Sequence, residues 1–181
     1  MSLVEQVLEF AGAQSGQQRY EFNSTDVLHL IKSAVAACQA QIEEMNFSIE
    51  TVIDPNLPAV RGDENALKRA MENLISNAIK YDGESHWARV HAQLLRGKKG
   101  NEVRITVEDR GVGIRPVDVA HIFEPFYREH KAVAAQIKGS GVGLSLVKQI
   151  VEAHGGRVTV ESTQGAGSVF TLHLPIAAGA S

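Results

Sequence analysis

The sequence predicts a two-layer α/β sandwich: a mixed, mostly antiparallel sheet covered on one face by three helices. Three observations carry that expectation. Stretches beginning near Ser24 and after Asp63 carry apolar residues three and four apart, the period of a helix that buries one side. Val103, Ile105 and Val107 alternate with Arg104, Thr106 and Glu108, the period of a half-buried strand. A third helical stretch, from about Gly141 to His154, is followed by two further apolar alternations joined through Gly165 and Gly167.

Taken in order, Leu3, Val4, Val7, Leu8 and Ala11 form a stripe at helical spacing. It is too short for a stable helix on its own and reads as the end of a longer one. Polar Gln14 to Gln18 follow, and Arg19 to Phe22 read as a short strand. The helix from about Ser24, capped by Ser24 or Thr25, presents Val27, Leu30, Ile31, Ala34, Val35, Cys38, Ile42 and Met45 on one face. Cys38 lies within that face and reads as core. Phe47, Ile49 and Ile53 mark a strand that Pro55 and Pro58 end. Asp63 caps the next helix, whose stripe is Ala66, Leu67, Ala70, Met71, Leu74, Ile75 and Ala78. Val90, Ala92 and Leu94 alternate in a strand, and Gly97 to Asn101 form a hairpin turn into the Val103 strand. Residues from about Arg115 to Ser140 have irregular composition. The third helix stops at Gly155 and Gly156, with His154 favourable in its last turn. Val158 and Val160, then Phe170, Leu172 and Leu174, close the sheet.

A length of 181 residues suits one domain with a full core. The net charge of −3 gives no reason to expect nucleic acid as a partner. A single cysteine excludes an internal disulfide and a cysteine-rich zinc site. No apolar run approaches the ~20 residues that span a bilayer, so no membrane contact is expected of these residues.

Four stretches carry chemistry. Asp109 is in phase with Val103, Ile105 and Val107, so its carboxylate turns inward, and Gly111 and Gly113 follow it in DRGVGI, where backbone can approach a neighbour closely. Asn73 and Asn77 are one turn apart on one helix face, which Lys80 and Tyr81 extend. Two amide oxygens and a lysine suit Mg²⁺ and phosphate oxygens, although the same face taken alone also reads as solvated. Gly139, Gly141 and Gly143 open the third helix, beside Lys138. The free N–H groups and dipole of such a helix start favour an anion. Neither established phosphate-loop spacing is present. Phe123, Phe126 and Tyr127 would anchor a lid over Arg128 to Ser140, with Arg128 and Lys138 in reach of phosphate.

Together these stretches resemble the ATP-binding catalytic domain of sensor histidine kinases, within the superfamily shared with DNA gyrase, heat-shock chaperone ATPases and mismatch-repair ATPases. NLISNAIKY (Asn73 to Tyr81) is similar to the asparagine box. DRGVGI (Asp109 to Ile114) and GSGVGLSLV (Gly139 to Val147) are similar to the two glycine boxes, and IFEPFYR (Ile122 to Arg128) to the phenylalanine box. GAGSVFTLHLP (Gly165 to Pro175) resembles the closing strand. The resemblance covers about Arg19 to Pro175 and implies the Bergerat ATP-binding fold. Residues 19–176 would be the ATP-binding domain, 1–18 the tail of a dimerisation and histidine-phosphotransfer helix with its linker, and 177–181 a C-terminal tail.

The resemblance further implies ATP and Mg²⁺ as ligands. Asn77 would be the principal metal ligand, assisted by Asn73, and Lys80 and Tyr81 would line the phosphate and nucleoside side. Asp109 would accept the adenine amino group and Gly113 would bring backbone close to the base, with Gly111, Ile114, Phe123 and Ser168 also among the nucleotide-binding residues. Gly141 and Gly143 would let the phosphate chain lie against the helix start, with Lys138, Gly139, Ser140, Val142 and Leu144 also among the nucleotide-binding residues, and Arg128 would join Asn73, Asn77 and Lys80 in catalysis. Water-hydrolysing relatives carry a glutamate where this chain has Asn73. Glu72 is one residue out of phase, about 100° round the helix, which favours phosphoryl transfer over hydrolysis.

The family's acceptor histidine precedes an acidic residue, and none of the seven histidines here does. The expected reaction is therefore transfer of the ATP γ-phosphoryl group to a histidine on a dimerisation domain outside these residues, then to a response-regulator receiver aspartate. The chain should not phosphorylate itself. The full-length protein would be a homodimer with this domain in the cytoplasm, compatible with an inner-membrane anchor elsewhere. Two alternatives stand beside it: a serine kinase of the anti-sigma-factor type, and a nucleotide-gated interaction module of the same fold.

Overall fold

The computed structural model describes residue 12 and residues 19–97, 100–127 and 141–177. The Leu3 to Ala11 stripe and the Arg128 to Ser140 lid lie outside the described residues.

Residues 19–22, read above as a strand, lie outside any; the strand is β1, Asn23–Thr25, paired antiparallel with β3, Val60–Gly62. Because Ser24 and Thr25 belong to that pair, and Thr25 Oγ1 donates to Gly62 O at 3.0 Å, neither caps the helix that follows. Asp26 does, accepting from His29 N at 3.0 Å, and α1 runs Val27–Ala37. The predicted single helix breaks at Cys38, which ends α1 and precedes α2, Gln39–Glu44. Past the break Ile42 still packs on the core, but Met45 is 48% exposed. Cys38 itself is buried, and burial, reinforced by Glu72, pushes its thiol up to about 11. It is packing, as expected.

The remaining elements are β2 (Ser48–Ile53), α3 (Glu64–Lys80), β4 (Trp87–Gly97), β5 (Gly100–Asp109), α4 (Pro116–Val119), α5 (Gly143–Ala153), β6 (Arg157–Thr163) and β7 (Gly167–Pro175). The main sheet has five strands in the order β2-β4-β5-β7-β6. Among the described residues only β2 and β4 run parallel, so the mixed, mostly antiparallel expectation holds. Val90, Ala92, Val103, Ile105, Val107, Phe170, Leu172 and Leu174 form one buried core with the apolar stripes of α1, α3 and α5. At about 1.5–3 kcal/mol per fully buried large aliphatic, this layer contact is the main source of stability.

The opposite phase of the sheet is charged. Arg157 grips Glu102 with both guanidinium nitrogens at 2.6 and 2.9 Å, and His173 Nδ1 sits 2.7 Å from the same carboxylate. Arg157 first, with His173, holds Glu102 down to about 2 against the opposing effect of burial. His173 is thereby a packing residue, like His154.

His154 corrects one expectation. Its Nε2 accepts from Asp63 N at 2.9 Å and its Nδ1 contacts Ile150 O at 2.7 Å. An amide can only donate and a carbonyl can only accept, so the ring is neutral with its proton on Nδ1. It is not a cation complementing the helix dipole but a buried link from the end of α5 to the start of α3. Among the described residues no helix is long and apolar enough to cross a membrane.

Candidate nucleotide site

Asp63 sets the direction of α3 by accepting from Ala66 N at 3.0 Å. Eight buried apolar residues on its stripe press it onto the sheet, with Asn73 and Asn77 at the border of the core. Asn73 is 8% exposed, and its Nδ2 donates to Arg69 O at 2.9 Å. Its Oδ1 therefore faces Gly143, where an added Cβ would come within 2.8 Å. Asn77 is half-buried one turn on, and its carbonyl receives Tyr81 N at 2.9 Å. Lys80 ends the helix on the exposed side.

The other end of α3 meets the glycine turn after β5. Val112 N donates to Tyr81 O at 3.0 Å, and a Cβ on Gly111 would lie 2.1 Å from that oxygen. Only glycine permits this approach. One helix thus touches both glycine-rich segments: Gly143 through Asn73, and the Asp109–Gly113 turn through Tyr81.

Asp109 is 8% exposed, as its strand phase predicts. Oδ1 accepts from Gly111 N at 2.9 Å and Ser168 N at 3.2 Å. Oδ2 has no donor among the described residues. Burial pushes the carboxyl above its ordinary value; the two N–H groups oppose the shift, while Asp82 and Glu108 add to it. Gly113 has φ +62° and packs against Thr163 O. Ile114 N donates to Ser162 Oγ at 2.8 Å, a residue the sequence reading missed. Its signal was available: Ser162 is in phase with Val158 and Val160, a polar group turned inward at a strand end, as Asp109 is.

The phenylalanine segment divides. Phe123 packs on the core, edge-on to Phe170 with ring centres 6.5 Å apart. Phe126 is not part of that anchor: it is 62% exposed with φ +64°. Instead its backbone N–H donates to Gly141 O at 2.8 Å, joining the residues on either side of 128–140. Tyr127 bonds Asp118 of α4, a short helix inside the stretch read as irregular. Arg128, Lys138, Gly139 and Ser140 lie outside the described residues. Gly141 turns the chain at φ +72°, Val142 is fully buried, and α5 begins at Gly143 with no side-chain cap. Its first N–H groups are the anion-favouring kind. Leu144 packs on the core, and Ser168 is 6% exposed beside Asp109.

A sheet-backed helix with amide side chains, an inward carboxylate and an uncapped glycine-led helix defines a nucleotide-binding α/β domain. The chain belongs to the histidine kinase-, DNA gyrase B-, and HSP90-like ATPase family, whose model matches residues 62–178. It is 33% identical over 173 residues to the sensor-like histidine kinase SenX3 of Mycobacterium tuberculosis, covering 96% of this chain and 41% of that protein. It is also 33% identical to the alginate biosynthesis sensor protein KinB of Pseudomonas aeruginosa, over 96% of this chain and 28% of KinB. The chain thus spans about two fifths or less of these relatives. Among solved structures, full-length ShkA in complex with AMPPNP superposes with a TM-score of 0.81 at 27% identity, over 99% of this chain and 36% of that one. The mycobacterial sensor histidine kinase MprB gives 0.69 at 27% identity, over 86% and 98%. Fold and relatives make this an ATP-binding catalytic domain of the sensor histidine kinase type.

Proposed function

We propose that this chain binds Mg-ATP and delivers the γ-phosphoryl group to a histidine on a dimerisation domain outside this sequence, for onward transfer to a response-regulator aspartate. In the first step the bond from the γ-phosphorus to the ADP oxygen breaks, a phosphorus–nitrogen bond forms on the imidazole, and ADP leaves. The reading rests on one observation: α3 contacts Gly143 through Asn73 and the Asp109 turn through Tyr81. Eight residues of helix separate the two contacts by about 12 Å, the scale of a nucleotide lying along α3.

Asp109 Oδ2 is the acceptor for the adenine amino group, with Gly111, Gly113, Ile114, Phe123 and Ser168 shaping the surround. Asn77 and Asn73 supply amide oxygens for the metal, and Lys80 and Tyr81 flank the phosphate path. Gly141, Val142, Gly143 and Leu144 present the start of α5 to the phosphates; Arg128, Lys138, Gly139 and Ser140 complete that side in this reading. The donor set fits Mg²⁺, which takes oxygen ligands and shares them with substrate phosphates. Once bound there, Mg²⁺ would offset the negative charge of the β- and γ-phosphate oxygens. Glu72 is engaged by Lys68 at 3.7 Å and stands away from Asn73, which supports transfer rather than activation of water. The relatives named above are sensor histidine kinases, which favours a histidine over a serine target. Residues 19–176 would be the ATP unit, 1–18 its lead-in from the dimerisation helix and 177–181 a tail, in a homodimeric protein whose catalytic domains lie in the cytoplasm.

The test mixes this chain with a separately produced histidine-bearing dimerisation domain and ATP labelled at the γ-phosphate. Acid-labile label should appear on the added domain only, and Asn77→Ala should abolish it. Label on one of this chain's own histidines, or ATP binding without transfer to any such domain, would overturn the reading.

A further inference from the structure

Across β5, β7 and β6 the register places Asp109 opposite Ser168 and Ser168 opposite Ser162. Opposite residues in antiparallel pairs share a face, so a carboxylate and two hydroxyls form one row at the end of the sheet. Asp109 is in phase with buried Val103, Ile105 and Val107, which puts the row on the helix-covered side.

The proton positions in this row follow by counting. Ser162 Oγ has three partners: Ile114 N at 2.8 Å, Gly167 O at 2.9 Å and Ser168 Oγ at 2.9 Å. A hydroxyl has one proton to give and two lone pairs to receive with. Ile114 N can only donate and Gly167 O can only accept, so the Ser162 proton goes to Gly167. The third contact is then satisfied only if Ser168 donates. With its proton committed, Ser168 Oγ has only lone pairs left to offer, on the residue opposite Asp109 in the strand register.

We infer that Ser162 is a positioning residue for base specificity. By holding the Ser168 proton, it keeps the base-reading edge of the pocket composed of acceptors only. That edge matches the 6-amino group of adenine and opposes the 6-oxo group of guanine. This role, which rests on the nucleotide reading above, belongs to a residue outside every motif that carries that reading. Ser162 acts through Ser168 and not by touching the base. Its bond to Ile114 N also steadies the Gly111–Gly113 turn.

Calorimetric titration with ADP and GDP, which share phosphates and differ in the base, provides the test. The wild-type chain binds ADP in preference. In Ser162→Ala the Ser168 hydroxyl is free to turn its proton toward the base, and the preference for ADP falls about tenfold, the worth of one hydrogen bond. Ser162→Thr keeps a hydroxyl and keeps the preference. In a Ser168→Ala background, Ser162→Ala changes the preference no further. Ser162→Cys, a weak donor and acceptor of similar size, repeats the comparison should the alanine variant unfold. An unchanged ADP-to-GDP ratio in a folded variant, or an equal loss for both nucleotides, overturns the role of Ser162 while leaving the nucleotide site intact. A wild-type chain that binds neither nucleotide overturns both.

Discussion

Each end of α3 has a carboxylate beside it, and the two are treated differently. At the start, Asp63 is fully employed: Oδ1 accepts from Ala66 N, Oδ2 accepts from Glu21 N at 2.9 Å, and its own N–H donates to His154. Burial pushes its carboxyl up, but the Glu21, Ala66 and Asn65 N–H groups and Arg69 outweigh it, and the net shift is downward. At the far end Asp109 is more deeply buried, has two N–H partners on one oxygen, and shifts upward. The difference is unspent bonding capacity. A polar group whose partners all lie inside the protein is scaffold; one buried with capacity left over is costly unless a ligand supplies the partner.

The largest expected effect that breaks this contrast comes from Asp109→Asn. The amide oxygen can still receive Gly111 and Ser168, but an N–H₂ replaces Oδ2 and confronts the adenine amino group donor to donor. Loss of a charge-assisted bond predicts about 10- to 100-fold weaker ADP binding. Stability moves the other way. Between the ordinary carboxyl value and Asp109's raised folded value, the native state holds the extra proton, so stability falls as pH rises through that window. Asparagine removes that loss, and the variant should melt no lower than wild type at neutral pH. Weak binding joined to a lowered melting temperature would count against the assignment.

Asp63→Ala should give the reciprocal result. Removing an N-cap costs about 1–2 kcal/mol, and the Glu21 N–H loses its acceptor as well. Because Asp63 is depressed, its contribution is present above the ordinary carboxyl value and disappears as pH falls through the folded value. Urea unfolding should show the loss at pH 7 and converge with wild type in acid, while ADP affinity per folded molecule stays unchanged. A drop in affinity equal to that of Asp109→Asn would mean that the two ends do not divide the labour in this way.

How far these roles were legible in the sequence follows the same division. Asp109 was readable because strand phase turned a charge inward, and Gly111 and Gly143 because their missing side chains lie where Tyr81 O and Asn73 come close. β3 was not: three residues cannot display a period, and the strand exists because β1 pairs with it and Gly62 fits beneath His154 and Leu67. The break at Cys38 left no mark in a stripe whose residues keep helical spacing through Ile42. The choice of Asp26 over Ser24 and Thr25 was decided by a partner 37 residues away in sequence, Gly62. Ser162 and His154 share one cause. Each is a polar residue whose role depends on which neighbours face it: strand phase turns Ser162 inward, but the partners it meets there come from other elements.

The smallest effect, and the sharpest test of scaffold against site, concerns His154. It is 4% exposed between the start of α3 and the rings of Tyr20 and Phe22, whose centres lie 5.2 and 5.0 Å away. A proton added to Nε2 would set two donors, Asp63 N–H and the ring N–H, against each other. Burial holds its pKa below the ordinary histidine value, against the opposing influence of Ile150 O and Asp63. In that range the unfolded chain binds the proton and the native state does not, so stability falls as pH drops below the unfolded value near 6.5. The slope from this one group is at most about 1.4 kcal/mol per pH unit. His154→Phe keeps the aromatic packing and removes the titration. It should be less stable than wild type at pH 7.5, where the two lost hydrogen bonds count fully, but should lose less on going to pH 5.5. Identical slopes in the two proteins would show that His154 accepts a proton in the fold, and that the start of α3 is not the sealed polar joint its bonds describe.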